Sequence, residues 1–229
     1  MSTPAIPFHK IKRAAVLGSG VMGSRIACHL AQTGSEVLLL DLPSAEGPRN
    51  AIADGHLKAA IKSNPSPLYS KRFAQRITTG NFDDDLAQIA NCDWIIEVVV
   101  ERLDIKQQLF ERVEQFRTPG TFITSNTSGI PLAQLSEGRS EDFQAHFCGT
   151  HFFNPPRYLP LLEIIPGPKT KPEVLSFLEA YGERILGKQV VVCKDTPAFI
   201  ANRVGVFAIQ ALFHTCLLYT SDAADDRLS

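Results

Sequence analysis

Three glycines near the start of the chain, Gly18, Gly20 and Gly23, have the spacing G-x-G-x-x-G. This spacing lets a chain turn tightly from a strand into a helix and brings its backbone close to a bound pyrophosphate. The helix that follows presents free N–H groups and the positive end of its dipole to the phosphates. The glycines therefore indicate dinucleotide binding. Taken alone the motif is weak, because glycines also meet at this spacing by chance, so the prediction depends on the elements around it.

The elements around the glycines are those that dinucleotide binding requires. The apolar run Arg13–Leu17 predicts a strand directly before the motif. Met22, Ile26 and Leu30 recur every four residues, which predicts a helix that opens within the motif. A second strand is predicted over residues 36–40. The glycines thus lie at the strand-to-helix turn of a complete βαβ unit.

An aspartate at the end of the second strand indicates which dinucleotide binds. A carboxylate at this point can accept hydrogen bonds from the adenosine ribose and would repel a 2′-phosphate. Asp41 therefore favours NAD over NADP, and we predict a cofactor site of the three glycines with Val21, Met22 and Asp41. The alternatives are that the glycines make only a tight turn and that Asp41 is only a turn residue.

The rest of the sequence alternates short β-rich runs with longer helical periods, which is typical of βαβ units around a mainly parallel sheet. We predict an α/β fold of the Rossmann type, doubly wound, over residues 1–195. The run 94–100, interrupted only by Glu97, predicts a strand buried on both faces. Further strands are predicted at residues 77–79, 122–125, 148–153, 162–165 and 189–192, and further helices at 50–63, 103–116 and 171–185.

The pattern changes towards the end of the chain. Thr196 is predicted to cap a helix, Pro197 suits its first position, and an apolar-rich helix should continue over residues 199–214. We interpret residues 196–215 as the start of a second, all-α domain that is truncated. Residues 216–229 resemble the translated reading frame of a transposase adapter used to prepare sequencing libraries, so we predict that they are not natural. The alternative is a genuine, frayed acidic C-terminus.

The composition argues against several classes of partner. Lys plus Arg number 23 and Asp plus Glu 24, and the pI is near 6.6, so there is no basic field for nucleic acid or a membrane surface. No apolar run reaches the roughly 18 residues that span a bilayer, and the N-terminus has no signal-peptide core. The five cysteines form no C-x-x-C pair and no His/Cys cluster, so no metal site is predicted. We expect a cytoplasmic protein that acts on a small molecule.

Four further runs of residues are more specific than a fold. In chain order they are Glu97-Val-Val-Val-Glu101 with Lys106, Ser125-Asn126-Thr127-Ser128, His151-Phe-Phe-Asn154-Pro155 with Glu163, and Lys194-Asp195-Thr196-Pro197 with Asn202-Arg203. In order and spacing they resemble the 3-hydroxyacyl-CoA dehydrogenase family, and the resemblance covers about residues 11–214. Within the family they look most like the long bacterial fatty-acid-oxidation members, which carry a hydratase/isomerase-like region further on.

The resemblance implies an enzyme of fatty-acid β-oxidation that uses NAD to oxidise L-3-hydroxyacyl-CoA. It makes His151 the general acid/base, Glu163 its orienting carboxylate, and Ser128 and Asn202 the polar groups around the reacting oxygen. A histidine can take the hydroxyl proton at neutral pH as hydride leaves the carbon. His151 ends one predicted strand and Glu163 lies on the next, so a hairpin-like return can bring them together. Ser128 as a turn hydroxyl and Asn202 as a helix-surface amide are the alternatives.

Other residues have weaker implications. Glu101, Lys106 and Asn126 resemble residues on the cofactor side of the family's site, although an ordinary charged pair also explains Glu101 and Lys106. Asn154 joins Ser128 as a predicted substrate-binding residue.

Two lysines lie one turn apart on the helix after the second strand. Lys58 and Lys62 could meet the phosphates of coenzyme A, and a solvated helix face explains them as well.

Two other functions are weighed against the dehydrogenase. A dehydrogenase of a free hydroxy acid would use a lysine of its helical domain as acid/base, where this chain has Asn202. A non-catalytic nucleotide-sensing module would have no use for His151 and Glu163. From the resemblance we expect an intact protein that dimerises through its helical domain, and little or no turnover by the chain as given.

Overall fold

The computed structural model describes residues 11–225, and the strands in this range form one eight-stranded sheet. The strands are β1 (Arg13–Leu17), β2 (Glu36–Asp41), β3 (Ile77–Asn81), β4 (Trp94–Glu97), β5 (Phe122–Ser125), β6 (Phe147–Phe152), β7 (Leu161–Pro166) and β8 (Gln189–Val192). Their order across the sheet is β3-β2-β1-β4-β5-β6-β7-β8. The first six run parallel, and β7 and β8 run in the opposite direction because β6 and β7 pair antiparallel. The predicted doubly wound, mainly parallel α/β fold is confirmed.

Helices connect the strands and pack on the two faces of the sheet. They are α1 (Val21–Gln32), α2 (Ala51–Lys62), α3 (Leu103–Phe116), α4 (Leu132–Leu135), α5 (Glu141–Ala145), α6 (Pro172–Arg184) and α7 (Ala201–Asp225). Short 3₁₀ turns, Lys71–Arg76 and Leu86–Asn91, precede β3 and β4. The predicted βαβ unit is formed by β1, α1 and β2.

Alternate residues of β1 pack into two separate cores. Ala14 and Val16 lie in the layer with α1, whereas Ala15 and Leu17 lie in the layer with α3, and all four are fully buried. Side chains alternate across a strand, so a strand covered on both faces is apolar at every position. Because β1 is packed on both faces, the position of the glycine turn that follows it is fixed.

The central strand β4 is shorter than predicted. The prediction covered residues 94–100, but pairing with β5 runs only from Trp94 to Glu97. Val98 still donates a backbone hydrogen bond to Leu17 O (2.8 Å), after which the chain leaves the sheet. The apolar residues after Glu97 therefore form the wall of a cleft instead of the end of a strand.

The last helix begins and ends later than predicted. It was expected to start at Pro197 and to end near residue 214, but α7 spans Ala201–Asp225. Ala198 and Phe199 precede it in a turn with positive φ, 63° and 44°, which cannot belong to a right-handed helix. The predicted non-natural tail, residues 216–229, continues α7 up to residue 225 and otherwise lies outside the described residues.

Much of α7 exposes apolar side chains. Between residues 204 and 217 the exposed large apolar residues are Val204, Val206, Phe207, Ile209, Leu212, Phe213 and Leu217. Within residues 11–225, no helix has the length and apolar character needed to cross a membrane. The expectation about a signal peptide concerned residues 1–12, of which residues 1–10 lie outside this range.

Candidate active site

Most of the predicted site residues follow the carboxyl ends of neighbouring strands. The glycine turn follows β1, Asp41 ends β2, and the loops after β4 and β5 carry Glu101, Asn126 and Ser128. In doubly wound sheets a ligand binds in the crevice where the strand order reverses. Here the order reverses between β1 and β4, so the glycine turn, Asp41 and the loop after β4 adjoin that crevice.

In the glycine turn after β1, two of the three glycine positions have no room for a side chain, and the third faces open space. Gly18 has φ of 104°, and a Cβ there would lie 2.7 Å from Val98 O. A Cβ on Gly23 would lie 1.8 Å from Gly18 O, whereas one on Gly20 would meet nothing within 4 Å. Gly20 is the N-cap of α1, and no side chain of the described residues caps that helix. A helix N-terminus that opens onto free space suits a pyrophosphate, so this turn fits a dinucleotide.

A cleft of about 520 Å³ extends from this turn past the ends of β2 and β4. Its walls are largely apolar and include Leu42, Phe82 and residues 98–100, which suits the flat adenine ring. Asp41 also lines the cleft, and its side chain is 17% exposed. Its Oδ2 accepts hydrogen bonds from Ser19 N (2.7 Å) and Ser19 Oγ (2.5 Å), and its Oδ1 accepts one from Leu42 N (2.8 Å). The carboxylate is therefore held in place at the position expected for an adenosine ribose.

Lys106 is buried next to the end of β4, with only 1% of its side chain exposed. Its Nζ lies 2.6 Å from Glu97 Oε1 and 3.1 Å from Glu101 Oε2. Glu97 also accepts hydrogen bonds from Ser125 Oγ (2.5 Å) and Val99 N (2.7 Å). Burial raises the pKa of Glu97, and the charge of Lys106 with these hydrogen bonds opposes the rise. Sequence reasoning missed this role of Glu97, whose signal was a lone carboxylate inside an apolar strand.

Glu101 connects this ion pair to the loop after β5. Its Oε1 accepts hydrogen bonds from Thr127 Oγ1 (2.5 Å) and Ser128 N (2.9 Å). Although burial raises the pKa of Glu101, the hydrogen bond from Thr127 and the charge of Lys106 lower it overall. Glu101, Ser128 and Asn202 line one cleft of about 510 Å³ between this loop and α7. The structure thus brings Ser128 and Asn202, which are distant in sequence, to the same cleft.

His151 and Glu163 face each other on the antiparallel strands β6 and β7. The two residues are in direct register, and His151 Nδ1 lies 2.8 Å from Glu163 Oε2. Their side chains are 8% and 1% exposed. Within the part of the chain that the structure describes, His151 Nε2 forms no hydrogen bond. A carboxylate on Nδ1 fixes the tautomer and the orientation of the ring, so Nε2 is the nitrogen that can exchange a proton.

The second oxygen of Glu163 is held by the start of α7. Glu163 Oε1 accepts hydrogen bonds from Ile200 N (3.1 Å) and Ala201 N (2.8 Å). Phe199, in the left-handed turn just before, is 2% exposed, and its ring centre lies 5.6 Å from that of His151. A phenylalanine with positive φ is strained, so these surrounding contacts must hold it there. The sequence contained no signal for this turn, because neither residue type favours such a conformation.

The remaining predicted residues lie at the margin of this arrangement or on the surface. Asn126 Oδ1 accepts a hydrogen bond from Phe152 N (2.9 Å), which ties the loop after β5 to the strand of His151. Asn154, Lys58 and Lys62 are exposed, and none of the three lines either of the two clefts.

The sequence matches a family model described as "3-hydroxyacyl-CoA dehydrogenase, NAD binding domain" over residues 13–196. The chain therefore belongs to this family, as the four runs of residues predicted. The prediction of NAD as cofactor is confirmed by the same match.

Relatives and solved structures agree with this assignment. The chain is 49% identical to a probable 3-hydroxyacyl-CoA dehydrogenase of Bacillus subtilis, covering 88% of this chain and 28% of that protein. It is 48% identical to one of Deinococcus radiodurans, covering 96% and 64%. The crystal structure of Mycobacterium tuberculosis FadB2 has a TM-score of 0.74 at 28% identity, covering 90% of this chain and 74% of that one. The chain spans less than two thirds of the two relatives.

Proposed function

We propose that this chain is the cofactor-binding and proton-transfer part of an L-3-hydroxyacyl-CoA dehydrogenase of fatty-acid β-oxidation. The reaction is the oxidation of L-3-hydroxyacyl-CoA to 3-oxoacyl-CoA with NAD. The observation that carries the proposal is the buried His151–Glu163 pair, bonded through Nδ1 with Nε2 unbonded. A buried histidine with a purely structural role is expected to have both ring nitrogens hydrogen-bonded. In His151 one nitrogen binds a carboxylate and the other is unbonded, which is the arrangement of a general acid/base.

In this proposal His151 Nε2 accepts the proton of the substrate's 3-hydroxyl. The positive charge that develops on the ring faces Glu163 at 2.8 Å in a nearly water-free setting, where a carboxylate stabilises it strongly. NAD, when bound, supplies the acceptor for the hydride that leaves C3. In the reverse direction the same nitrogen returns the proton to the oxygen.

Ser128 and Asn202 are proposed to hold the reacting oxygen. Both line the cleft between the loop after β5 and α7, and each can donate a hydrogen bond. A hydroxyl and an amide aimed at an oxygen that turns from alcohol into carbonyl would orient it and support its charge during the reaction.

The cofactor is proposed to lie along the edge from β2 to β5. The residues assigned to it are Gly18, Gly20, Val21, Met22 and Gly23 at the pyrophosphate, Asp41 at the adenosine ribose, and Glu101, Lys106 and Asn126 on the nicotinamide side. Lys106 and Asn126 would act there by holding the loops, since Lys106 is bonded to Glu101 in the loop after β4 and Asn126 ties the loop after β5 to strand β6.

Three surface residues are assigned to the acyl-CoA substrate. Lys58 and Lys62 are exposed on α2, where two positive charges could meet the phosphates of coenzyme A. Asn154 lies in the loop after β6, the strand that carries His151, and could contact the acyl-CoA.

The division of the chain is part of the same proposal. Residues 1–195 would form the NAD-binding domain, and residues 196–215 would begin a helical domain. The left-handed turn before α7 and the exposed apolar face of that helix support this boundary. Dimerisation through the helical domain rests on the family resemblance alone, and a cytoplasmic location rests on the sequence features given above.

The test is turnover of acetoacetyl-CoA with NADH, followed by loss of NADH absorbance. It is made with this chain and with a chimera that continues it with the corresponding C-terminal part of the Bacillus subtilis relative. We expect turnover by the chimera and loss of that turnover in His151→Gln. A chimera that folds and binds NADH but does not reduce acetoacetyl-CoA would contradict the proposal.

A second candidate is a dehydrogenase whose substrate carries no coenzyme A. One structural relative, described as the NAD⁺-dependent 5-dehydrogenase of a 3-hydroxypyridine carboxylic acid, has a TM-score of 0.71 at 28% identity. Comparing acetoacetyl-CoA with free acetoacetate in the same assay separates the two functions. A preference for the free acid would favour this candidate.

A further inference from the structure

His56 belongs to a hydrogen-bonded chain that ends at the carboxylate expected to select the cofactor. Its Nδ1 lies 2.8 Å from Ser19 Oγ, and Ser19 Oγ lies 2.5 Å from Asp41 Oδ2. The direct distance from His56 Nδ1 to Asp41 Oδ2 is 3.9 Å. A charge on the imidazole would therefore act directly on Asp41.

The directions of these hydrogen bonds follow from the groups themselves. A carboxylate only accepts, and a hydroxyl has one proton, so the Ser19 O–H donates to Asp41. Ser19 Oγ is then the acceptor for His56, whose Nδ1 must carry a hydrogen. Nε2 is left as the nitrogen that gains or loses a proton. His56 can therefore become positively charged without breaking the chain of hydrogen bonds.

The ring of His56 lies at the junction of two parts of the nucleotide site. Its side chain is half exposed and lines the adenosine cleft together with Asp41. It also lines a depression of about 210 Å³ next to Gly20 and Val21, where the pyrophosphate is expected. The charged groups that share these two surfaces with His56 are Asp41 on β2, Arg25 on α1 and Arg112 on α3.

We propose that His56 sets how strongly the site discriminates against a 2′-phosphate on the adenosine ribose. The proposal rests on the cofactor site of the proposed function. With His56 neutral, the carboxylate of Asp41 faces the 2′-phosphate and repels it. With His56 protonated, a positive charge 3.9 Å from Asp41 offsets that repulsion and attracts the phosphate. The preference for NAD over NADP is therefore weaker at low pH.

The expected size follows from Coulomb's law. Two unit charges about 4 Å apart interact by ~1 kcal/mol in water-like surroundings, which corresponds to a change of about fivefold in the ratio of two dissociation constants. The 2′-phosphate also gains a proton in this range, since its second pKa is about 6. Protonation of the 2′-phosphate contributes equally to the pH dependence of every variant. A variant without an ionisable group at position 56 therefore measures the contribution of the phosphate alone.

The experiment is calorimetric titration of the 229-residue chain with NAD⁺ and NADP⁺ at pH 5.5 and pH 8.5. His56→Gln keeps a hydrogen-bond donor for Ser19 but cannot become charged, and His56→Asn is a second neutral variant. His146→Gln removes an imidazole that lines neither of these two surfaces, so it is the matched control. Between pH 8.5 and pH 5.5 the dissociation constant of NADP⁺ should fall relative to that of NAD⁺. This fall should be about fivefold larger in the native chain and in His146→Gln than in either His56 variant.

Two results would overturn the proposal in different ways. Equal pH dependence in the native chain and the His56 variants, with NAD⁺ bound normally, would remove His56 from cofactor selection and leave the proposed function intact. Failure of the native chain to bind NAD⁺ at either pH would overturn both this inference and the cofactor site on which it rests.

Discussion

Two buried carboxylates near the same edge of the sheet each bind a basic side chain, and the two basic side chains differ in whether a nitrogen is left without a hydrogen bond. Lys106 is 1% exposed and lies against Glu97 and Glu101, with a further hydrogen bond to Val99 O (3.3 Å). His151 contacts Glu163 through one ring nitrogen only. The Lys106 ammonium is surrounded by acceptors from one loop region, whereas Nε2 of His151 has no hydrogen-bond partner among the described residues. The lysine pair can therefore hold loops together, and the histidine pair can also transfer a proton.

Burial and hydrogen bonding of the carboxylates do not make this difference. Glu97 and Glu163 are 0% and 1% exposed, and each is hydrogen-bonded to one basic side chain and to at least two further donors. What distinguishes the two sites is the unbonded Nε2 of His151. A buried carboxylate is thus a weak sign of catalysis until its partner has been examined.

The largest effect should come from breaking the lysine pair. Glu97→Ala leaves the buried Lys106 with the half-exposed Glu101 as its one carboxylate partner, and such a loss typically costs about 3–5 kcal/mol of stability. Urea unfolding followed by the fluorescence of Trp94, the only tryptophan, measures it. The double variant with Lys106→Met should regain most of the loss, because no unpaired charge remains. A cost below about 1 kcal/mol in Glu97→Ala would show that Glu101 alone is enough for Lys106.

A histidine buried without a carboxylate should make acid destabilise the fold. His29 lies 3.0 Å from Leu186 O and 3.0 Å from Gln32 Nε2, and burial with the charge of Lys188 lowers its pKa to about 4. Between pH 6.5 and about 4 the unfolded chain therefore binds more protons than the folded chain. Stability should fall by about 3 kcal/mol as the pH drops through this window.

His29→Gln is the variant that isolates this effect. Its unfolding free energy should depend less on pH between 6.5 and 4 than that of the native chain. The matched control is His146→Gln, which changes a histidine that is not deeply buried. An identical loss of stability in the native chain and His29→Gln would assign the acid sensitivity to other groups.

Breaking the histidine pair should chiefly affect the reaction. His151→Gln and Glu163→Gln should each lower kcat of the active chimera by about 10²-fold or more, equivalent to about 2.7 kcal/mol, with NAD affinity little changed. The double variant should be hardly worse than either single variant, because the two residues act as one unit. Near-normal kcat in His151→Gln would remove this residue from the mechanism.

The smallest change in free energy is expected at Asp41, a carboxylate that is partly exposed and has no buried cation as a partner. The native chain should bind NADH more tightly than NADPH, and Asp41→Ala should narrow the ratio by about tenfold, which is ~1.4 kcal/mol. Fluorescence titration with both cofactors measures this. Equal dissociation constants in the unmodified chain would show that Asp41 does not select the cofactor.

The sequence predicted those features that depend on local pattern. The strand, glycine turn and helix around Gly18 follow one another along the chain, and the period of their apolar residues identifies each element. The His151–Glu163 pair could also be predicted, because the two residues lie on consecutive strands that pair directly. Their proposed roles came from family resemblance, since spacing alone does not distinguish an acid/base from a buried structural histidine.

The features that the sequence did not predict depend on contacts between distant segments. Lys106 looks like a surface residue of a charged helix, and its burial is visible only when Glu97 is placed beside it. The early end of β4 depends on where β5 stops pairing. The turn at Ala198 and Phe199 has an intrinsically unfavourable backbone and exists because the packed structure enforces it.

Both carboxylate oxygens of Glu163 are engaged, one by His151 and the other by the start of α7, and this limits which side chains can replace it. Oε2 orients His151 and Oε1 anchors the first turn of α7, so an aspartate, being one carbon shorter, would have to give up one of these contacts. A side chain of another length at this position is therefore expected to disturb either the His151 ring or the start of α7. The position of a side chain on β7 thus depends on a turn at 198–199, which is followed by the two backbone amides that bind its carboxylate.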